Sequence, residues 1–422
     1  MRKGAHRDEA EHRQVQYLSS AAVRGRLGEV LDGQGYHLDH AELVDLQHRP
    51  GAGATGVFRV HVTEDESEEL FVALTAEAVP EDSVLAAGED GDATWSAWFH
   101  PHDPLLTGLA LASDPATVAA LWGRGGTLVD LQTISYRPLR RAVLRAVVTG
   151  VPGSSDASGD HDASGTLDIS SASGRRTVFL KVMRAGLATR LHHRHTLLAA
   201  AGVPVPVVLG PPVADVLALE QGEGEVLANA IMANGARQVE PADVVGILDR
   251  MPADLLELPR RDAWSDRTPD YGHAAATALP DQARRIRSLV DHLQRQLTVT
   301  DRGPVVPTHG DFYEANLLVK QNRISCVLDI DGAGPGHRVD DLACFLGHLA
   351  VLPAVDRRYV HVDEALRRFH GYFKTGVDPA ALACRSAAVA LSLVAGARDS
   401  GRGDWQRSAR QRLEIAESLL DL

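Results

Sequence analysis

The chain has 422 residues, of which 44% are hydrophobic and 23% are charged, and its formal net charge at pH 7 is -13. This length allows two or three domains. The acidic balance argues against a general nucleic-acid binder, which usually carries a basic footprint.

Three cysteines, Cys326, Cys344 and Cys384, are widely spaced and lie in apolar surroundings. Their odd number and spacing fit neither a disulfide framework nor a zinc pattern, so we expect buried thiols in a reducing compartment. The charged N-terminal segment lacks the apolar core of a signal peptide. No apolar run approaches the length that spans a bilayer. We therefore expect a cytoplasmic protein that binds no membrane and no nucleic acid.

The first predicted region covers residues 1–118. Val15–Leu31 has helical periodicity, and short apolar runs predict strands at Leu43–Leu46, Val57–Val62 and Leu70–Thr75. Residues 51–56, Gly-Ala-Gly-Ala-Thr-Gly, formally match a glycine-rich phosphate loop. A kinase would carry a Lys on the strand that follows, but Thr75 stands there. We therefore predict a flexible hairpin turn at these glycines.

A connector rich in Pro and Gly follows the first region. Its His100, His102 and Asp103 have the side chains of a metal site. The prolines that separate them favour a loop without a metal instead.

The second predicted region, residues 119–221, carries two basic features. Arg140 and Arg141 follow a Tyr-Arg-Pro turn, where they could reach phosphates or form an exposed basic strand edge. Lys181 lies within an apolar strand. A buried Lys is costly unless it is paired, so we expect a functional role, with a snorkelling edge Lys as the alternative. Between them, residues 150–174 are rich in Gly, Ser and Asp and predict a flexible insert.

A helix over Leu187–Ala201 and strands over Val203–Leu209 and Val216–Leu219 complete this region. The third region, residues 222–422, is predicted to be mainly helical. Helical spacing predicts helices at 283–297, 342–352, 362–373, 379–397 and 404–420. The weak candidates for a substrate pocket, for which core packing or a solvated face is the alternative, are Trp264, Asp399, Asp404 and Trp405.

Residues 309–331 interrupt this helical region with a hairpin pattern. Two apolar runs, Asn316–Val319 and Ile324–Ile330, flank a polar break. A hairpin would bring Asp311, Asn316 and Asp329 to one end. Phosphoryl transfer needs such a set, because one carboxylate accepts the hydroxyl proton while an Asn and an Asp hold Mg²⁺ against the phosphates. A surface hairpin with turn-forming Asp and Asn is the alternative.

The order His-Gly-Asp, four residues, Asn, and an Asp after a strand resembles the catalytic and metal loops of the aminoglycoside phosphotransferases, the choline-kinase-like relatives of protein kinases. The resemblance implies that Asp311 is the base and that His309 braces it. It also implies that Asn316 and Asp329 bind Mg²⁺, with Asp331 as a further candidate.

The resemblance extends to other parts of the chain. Asp341 would tie down the catalytic loop. The connector and the Tyr136-Arg137-Pro138 turn resemble a capped actinobacterial branch of this family that includes maltokinases and glucosamine kinases. ATP would contact Lys181 through its phosphates. The remaining nucleotide contacts would come from Arg140, Arg141 and the hinge residues Glu220 and Gln221.

The fold class implied by the resemblance is α+β. It is a bilobal protein-kinase-like fold with an N-terminal α/β cap over residues 1–118, a mainly β N-lobe over 119–221 and a mainly helical C-lobe over 222–422. The implied activity is ATP- and Mg²⁺-dependent phosphorylation of a hydroxyl on a small polar molecule, a sugar or an amino sugar.

Two alternatives remain open. The first changes the acceptor to an aminoglycoside or to an amino alcohol such as choline. The aromatic content of 5% leans away from the aromatic cage of a choline site. The second is a catalytically silent binding module, against which the complete set of Asp311, Asn316 and Asp329 argues.

One departure from the kinase pattern concerns the partner of Lys181. Kinases pair this Lys with a Glu on the following helix, but residues 182–214 contain no Asp or Glu. The helix offers His192, His193 and His195 instead. A neutral His could accept a hydrogen bond from the Lys181 ammonium. We favour the alternative, in which the nucleotide phosphates and the Asp329 region position Lys181 and the three histidines lie on an exposed face.

Overall fold

The computed structural model describes residues 10–11, 13–49, 53–63, 67–80, 84–90, 93–150, 174–400 and 404–422. The predicted insert at residues 150–174 lies almost wholly outside the described residues, as does Gly51. The chain divides into two compact units, Met1–His192 with Val208–Gln221 and His193–Val207 with Gly222–Leu422. The predicted boundaries at residues 118 and 221 remain predictions.

The first unit contains a five-stranded antiparallel sheet in the order β1-β2-β3-β5-β4. Its strands, with the helix that covers them, are α1 (Val23–Asp32), β1 (His37–Arg49), β2 (Gly53–Thr63), β3 (Ser67–Thr75), β4 (Ala86–Asp90) and β5 (Ala93–Phe99). Apolar residues of α1 pack against the sheet around Phe58 and Trp95. The predicted helix Val15–Leu31 is interrupted, because the hydroxyls of Ser19 and Ser20 bond the carbonyls of Val15 and Tyr17 and end the first helical segment.

The glycine-rich segment is a strand in its described part, so the predicted turn is wrong for residues 53–56. These residues begin β2, and every residue from Gly53 to Phe58 is buried. The hydroxyls of Thr55 and Thr75 lie 2.7 Å apart in a hydrogen bond between β2 and β3. A Cβ at Gly56 would lie 2.7 Å from the Phe58 ring. Close packing against a side chain therefore accounts for this glycine.

A second antiparallel sheet of the first unit has the order β6-β7-β8-β9. Its strands are β6 (Thr127–Arg137), β7 (Arg141–Thr149), β8 (Arg176–Met183) and β9 (Val216–Glu220), and the helices α2 (Leu109–Ser113) and α3 (Pro115–Trp122) precede them. The helix between β8 and β9, α4 (Leu187–Ala200), begins in this unit and ends in the second, because the division falls between His192 and His193. Leu144, Leu180 and Ala218 pack against Leu109 and Trp122 of the two short helices. The predicted strand Val203–Leu209 is wrong apart from a bridge at Val208, because Pro204 and Pro206 cannot donate to a ladder.

Asp103 of the connector is a buried structural anchor. Its Oδ2 accepts hydrogen bonds from the Tyr136 hydroxyl and the Leu139 backbone, both at 2.8 Å. Its Oδ1 accepts from the backbones of Leu105 and Leu106. The four donors satisfy this carboxylate, and the loop without a metal stays a prediction. The Tyr-Arg-Pro turn is thus tied to the connector.

The second unit is mainly helical. Its elements are β10 (Glu225–Val226), α5 (Leu227–Asn234), α6 (Pro241–Asp249), α7 (Thr268–Ala278), α8 (Ala283–Val299), β11 (Val305–Thr308), β12 (Leu317–Lys320), β13 (Arg323–Val327), β14 (Gly334–His337), α9 (Arg338–Val355), α10 (Val362–Phe373), α11 (Pro379–Ser392) and α12 (Trp405–Ser418). The strands form two small antiparallel sheets, β10-β12-β13 and β11-β14.

The core of the helical unit is centred on α11, which packs against α7, α8, α9 and α12. Pro379–Arg398 is long and apolar enough to cross a membrane by its length and composition alone, and most of this segment is buried inside the fold. The expectation that no run reaches this length was therefore wrong. Many small Ala residues make this core helix apolar along its length.

Candidate active site

The loop after β11 is fixed by Asp341 in the first turn of α9. The backbone N–H groups of His309 and Gly310 donate to the two carboxylate oxygens of Asp341, each at 2.8 Å. Burial raises the pKa of Asp341 to about 7, while the two N–H donors act in the opposite direction. The tie that the sequence resemblance implied is present.

Two loops approach each other so closely that only glycine fits at the contact. Gly310 has a φ of +82°, and a Cβ there would lie 2.8 Å from the carbonyl oxygen of Gly332. A Cβ at Gly332 would in turn lie 3.2 Å from the carbonyl oxygen of His309. The loop that carries Asp311 is therefore held directly against the loop that carries Asp329 and Asp331.

His309 is buried, and its ring links the same two loops, with one nitrogen bonded to its own loop and the other to the second loop. Nδ1 accepts a hydrogen bond from the Asp311 backbone N–H at 3.2 Å, so Nε2 carries the proton and donates to the Leu328 carbonyl at 2.9 Å. Burial lowers the pKa of His309 to about 4, which keeps the ring neutral. A neutral imidazole suits a brace, because one nitrogen must accept and the other must donate.

The hairpin β12-β13 brings Asn316 beside the residue that precedes Asp329. The carbonyl oxygen of Asn316 accepts from the Leu328 backbone N–H at 2.8 Å, and Leu317 pairs with Val327 in the ladder. Asp329 itself adopts a left-handed conformation, φ 53° and ψ 48°, and begins a 3₁₀ turn. Asp311, Asn316 and Asp329 thus meet at one end of the hairpin.

The donor set at this end of the hairpin fits a magnesium ion. Nδ2 of Asn316 donates to the Asp311 carbonyl at 2.9 Å, so the amide nitrogen is engaged and the amide oxygen is the atom that can meet a cation. Asp329 and Asp331 add half-buried carboxylates on the adjoining loop. Oxygen ligands are those that Mg²⁺ prefers. The assignment of Asn316, Asp329 and Asp331 to Mg²⁺ remains a prediction.

Asp311 is surrounded by a group of rings, which we call the aromatic cluster: Trp264, Tyr271, Tyr313 and His348. Nε1 of Trp264 donates to Oδ1 of Asp311 at 3.2 Å. The Trp264 ring stacks on Tyr271 with centroids 5.6 Å apart. Tyr313 stacks on His348 at 4.1 Å. Burial and the nearby carboxylate of Asp311 both raise the pKa of Tyr313, so its hydroxyl stays protonated.

Sequence reasoning missed most of the aromatic cluster. Trp264 was only a weak pocket candidate, and Tyr271, Tyr313 and His348 were not predicted at all. Trp264 precedes Asp311 by 47 residues, and no local pattern connects the two. By contrast, Trp405 packs against the helical core and Asp404 pairs with Arg407, which match the alternative roles. The side chain of Asp399 lies outside the described residues.

The predicted nucleotide contacts lie in the first unit. Lys181 is 9% exposed on β8, between Val143 and Leu217 of the neighbouring strands. Arg140 lies 3.8 Å from Glu77, and Arg141 is the first residue of β7.

The two predicted hinge residues lie at the end of β9, with Glu220 as its last residue and Gln221 directly after it. Glu220 forms an ion pair with Arg176 at 3.2 Å, and the Gln221 backbone donates to the Thr177 carbonyl at 3.0 Å. The roles of all five residues toward a nucleotide remain predictions.

The histidines of α4 do not share one environment. His193 is exposed and His192 is half-buried, but His195 is 3% exposed. The expectation of an exposed histidine face is therefore wrong for His195. Arg194 of the same helix donates from Nε to the carbonyl of Ala333 at 2.8 Å, directly after the Asp329 turn.

The family of the chain follows from its match to a known family model. A family model described as "phosphotransferase enzyme family" matches residues 161–373, slightly more than half of the chain. The chain belongs to the phosphotransferase enzyme family. The family includes the aminoglycoside phosphotransferases that the catalytic loop resembles, and the α+β, protein-kinase-like fold class predicted from the sequence is confirmed. Membership of the actinobacterial branch remains a prediction.

Solved structures that match this phosphotransferase-family protein share little sequence with it. A thermostable mutant of aminoglycoside phosphotransferase APH(4)-Ia, in complex with ADP and hygromycin B, is 15% identical, with a TM-score of 0.48 over 72% of this chain and 98% of that chain. Choline kinase LicA from Streptococcus pneumoniae is 12% identical, with a TM-score of 0.46 over 72% of this chain and 96% of that chain. No curated protein matches the chain.

Proposed function

We propose that this family member is a kinase that transfers the γ-phosphate of ATP to a hydroxyl of a small polar molecule, a sugar or an amino sugar. The observation that carries the proposal is the position of Asp311. It lies on a loop fixed by Asp341 and His309, and its backbone carbonyl accepts a hydrogen bond from the Asn316 amide. A base and a hard-cation site held together at one hairpin end are what phosphoryl transfer requires.

Asp311 is the base that accepts the proton of the acceptor hydroxyl. The Trp264 indole fixes the orientation of this carboxylate through Oδ1. His309 and Asn316 fix its backbone from either side, through the N–H and the carbonyl. Such fixation matters because proton transfer depends on a hydrogen-bond geometry that the loop must already hold when the substrate arrives.

Asn316 and Asp329 would hold Mg²⁺, with Asp331 as an additional ligand. When bound, the ion neutralises charge on the transferring phosphate. Lys181 would contact the α- and β-phosphates of ATP, and Arg140 and Arg141 would add cationic contacts. The base of the nucleotide would meet the backbone at Glu220 and Gln221. We also propose that the protein is cytoplasmic.

The aromatic cluster supports a ring-shaped acceptor. The flat faces of Trp264 and Tyr271 can pack against the apolar C–H face of a sugar while Asp311 receives a hydroxyl. The same rings would also hold a quaternary or primary amine through cation–π contacts. An amino-alcohol kinase is therefore the second candidate. The aromatic content of 5% describes the whole chain, whereas these rings lie beside Asp311, and the choice between the two acceptors stays a prediction.

A nucleotide-consumption screen tests the proposal. The purified protein, ATP and Mg²⁺ are mixed with neutral sugars, amino sugars, aminoglycosides, choline or ethanolamine, and ADP release is measured. A sample without acceptor corrects for hydrolysis, and ³¹P NMR identifies the product. We expect ADP and a phosphate ester with a sugar or amino sugar. Selective turnover of choline would support the second candidate. Nucleotide binding without acceptor-dependent ADP release would identify a silent module.

A further inference from the structure

Two side chains of α9 meet the carboxylate of the predicted base, Asp311. Cys344 and His348 lie one turn apart on α9, so they project from the same face of the helix. Asp311 approaches them from the catalytic loop. One ligand atom of each residue, the thiol sulfur, a ring nitrogen and a carboxylate oxygen, lies within 4.8 Å of the other two.

The surroundings of the two helix residues differ. Burial and the nearby Asp311 carboxylate raise the pKa of the Cys344 thiol well above its ordinary range, so the thiol keeps its proton until a cation replaces it. Nε2 of His348 is buried and has no hydrogen-bond partner among the described residues. Burial lowers the pKa of His348 to about 4, so the imidazole is neutral and can offer a lone pair. Buried polar atoms without a partner are uncommon in folded proteins.

We propose that Asp311, Cys344 and His348 form a binding site for a borderline-soft divalent cation such as Zn²⁺, and that the bound ion inhibits the phosphotransferase. Sulfur, nitrogen and oxygen together are donors that Zn²⁺ accepts, whereas Mg²⁺ prefers oxygen alone. The inhibition rests on the proposed function of Asp311, but the binding of the ion does not.

The site needs only a small closure to accept the ion. Zn–S and Zn–N bonds of about 2.3 and 2.0 Å place tetrahedral ligands roughly 3.3 to 3.8 Å apart, compared with separations of up to 4.8 Å between the three atoms here. Rotation of the Asp311 and Cys344 side chains can supply this difference. Three protein ligands leave a fourth position for water or for the acceptor hydroxyl.

The inhibited state follows from the bonds that form. The Cys344 thiol releases its proton to solvent as the Zn–S bond forms, and no atom changes its oxidation state. The Asp311 carboxylate donates an electron pair to the ion. It can then no longer accept the proton of an acceptor hydroxyl, so transfer stops until a chelator removes the ion.

Cobalt titration of the full-length, metal-free protein tests the binding without any nucleotide. We expect one equivalent of Co²⁺ to produce a thiolate-to-cobalt charge-transfer band with tetrahedral d–d bands, and Zn²⁺ to abolish both. Cys344→Ser should remove the charge-transfer band, and His348→Ala should weaken Co²⁺ binding at least about tenfold. Cys326→Ser/Cys384→Ser, which keeps only Cys344, should retain the band and serves as the matched control. Loss of the band in that control, or its absence in the wild-type protein, would overturn the proposal.

Inhibition is then measured with buffered free Zn²⁺ under saturating Mg²⁺. Wild-type turnover should fall as the ion binds and recover with a chelator. The activity of Cys344→Ser is expressed relative to the activity of the same variant without Zn²⁺. This variant should need at least about tenfold more Zn²⁺ than the wild-type protein for the same fractional loss of activity. Equal sensitivity of the two proteins would refute a role for this site. A cobalt band in a protein without kinase activity would leave the metal site standing and refute the proposed function alone.

Discussion

The indole N–H of Trp264 donates a hydrogen bond to the Asp311 carboxylate across 3.2 Å. The donor lies on a 3₁₀ turn at Trp264–Arg267 and the acceptor on the loop after β11. The contact fixes one carboxylate oxygen and places an aromatic face beside the predicted base. Trp264 therefore orients the carboxylate and lines the space in which an acceptor would lie.

Trp264→Phe keeps a flat ring and removes the N–H donor. The lost hydrogen bond to a charged group should lower kcat by roughly tenfold, since such a bond contributes about 1.5 kcal/mol. KM for the acceptor should change less, because the ring face remains. Steady-state kinetics measure both constants. The matched control is Trp405→Phe, because the wild-type Trp405 ring packs against the helical core and Arg398. Unchanged kcat in Trp264→Phe would show that the indole N–H has no orienting role.

Asp311→Asn tests the base itself. The amide retains the size of the carboxylate but cannot take the proton, so kcat should fall by roughly two to four powers of ten. The fold should persist because Asp341 and His309 hold the backbone of the loop. Circular dichroism and nucleotide titration check folding and binding. A folded variant with near-normal turnover would remove Asp311 from the mechanism.

Mg²⁺ titrations separate the two predicted metal ligands. Asp329→Ala and Asn316→Ala should both raise the Mg²⁺ concentration needed for half-maximal activity. Asp329→Ala should raise it more, because a carboxylate neutralises charge and an amide does not. Asp254→Ala removes an exposed carboxylate in the same unit and should leave the titration unchanged. An unaltered Mg²⁺ requirement in Asp329→Ala would contradict its assignment.

The catalytic hairpin was predictable from sequence because its constraints are local. Asp311, Asn316 and Asp329 lie within about 20 residues of one another, and a hairpin must bring them together. The Asp341 contact was predicted only through the family resemblance. The aromatic cluster was not predictable, because Trp264, Tyr313 and His348 come from a 3₁₀ turn, a loop and a helix whose arrangement depends on tertiary packing.

The errors at residues 53–56 and at His195 have a different physical origin. Residues 53–56 have the glycine content of a turn, but Phe58 packs over Gly56 and the Thr55–Thr75 hydrogen bond holds the segment in a strand. Tertiary contacts outweighed the local preference of glycine for turns. The exposure of His195 was misjudged in the same way, since a helix rich in His gives no sign of which face is buried.

Glu314 should make stability depend on pH. It is buried in the catalytic loop, Oε2 has no hydrogen-bond partner among the described residues, and burial raises the pKa from 4.5 to about 8. Between these values the unfolded chain has lost a proton that the folded protein keeps. The contribution of Glu314 to stability is therefore greatest at low pH and decreases as pH rises toward about 8.

Glu314→Gln removes this dependence. Urea unfolding at about pH 5 and about pH 8 should show the variant gaining stability relative to wild type as pH rises. Glu257→Gln replaces an exposed carboxyl and should show a much smaller change. If the difference in the free energy of unfolding between Glu314→Gln and wild type stays constant over this pH range, folding does not raise the pKa of the Glu314 carboxyl.

Two arrangements of the nucleotide site differ in which groups position Lys181. No Asp or Glu occurs between residues 182 and 214, so the usual carboxylate partner on α4 is absent from that helix. We predict that the nucleotide phosphates position Lys181 and that the histidines of α4 do not.

Lys181→Ala should weaken nucleotide binding more than His192→Ala, His193→Ala or His195→Asn. Each histidine variant should stay below about 1.4 kcal/mol, the tenfold threshold. Because His195 is buried, its variant needs a thermal unfolding control. A histidine variant that folds normally and matches the loss in Lys181→Ala would show that a neutral imidazole has replaced the ion pair.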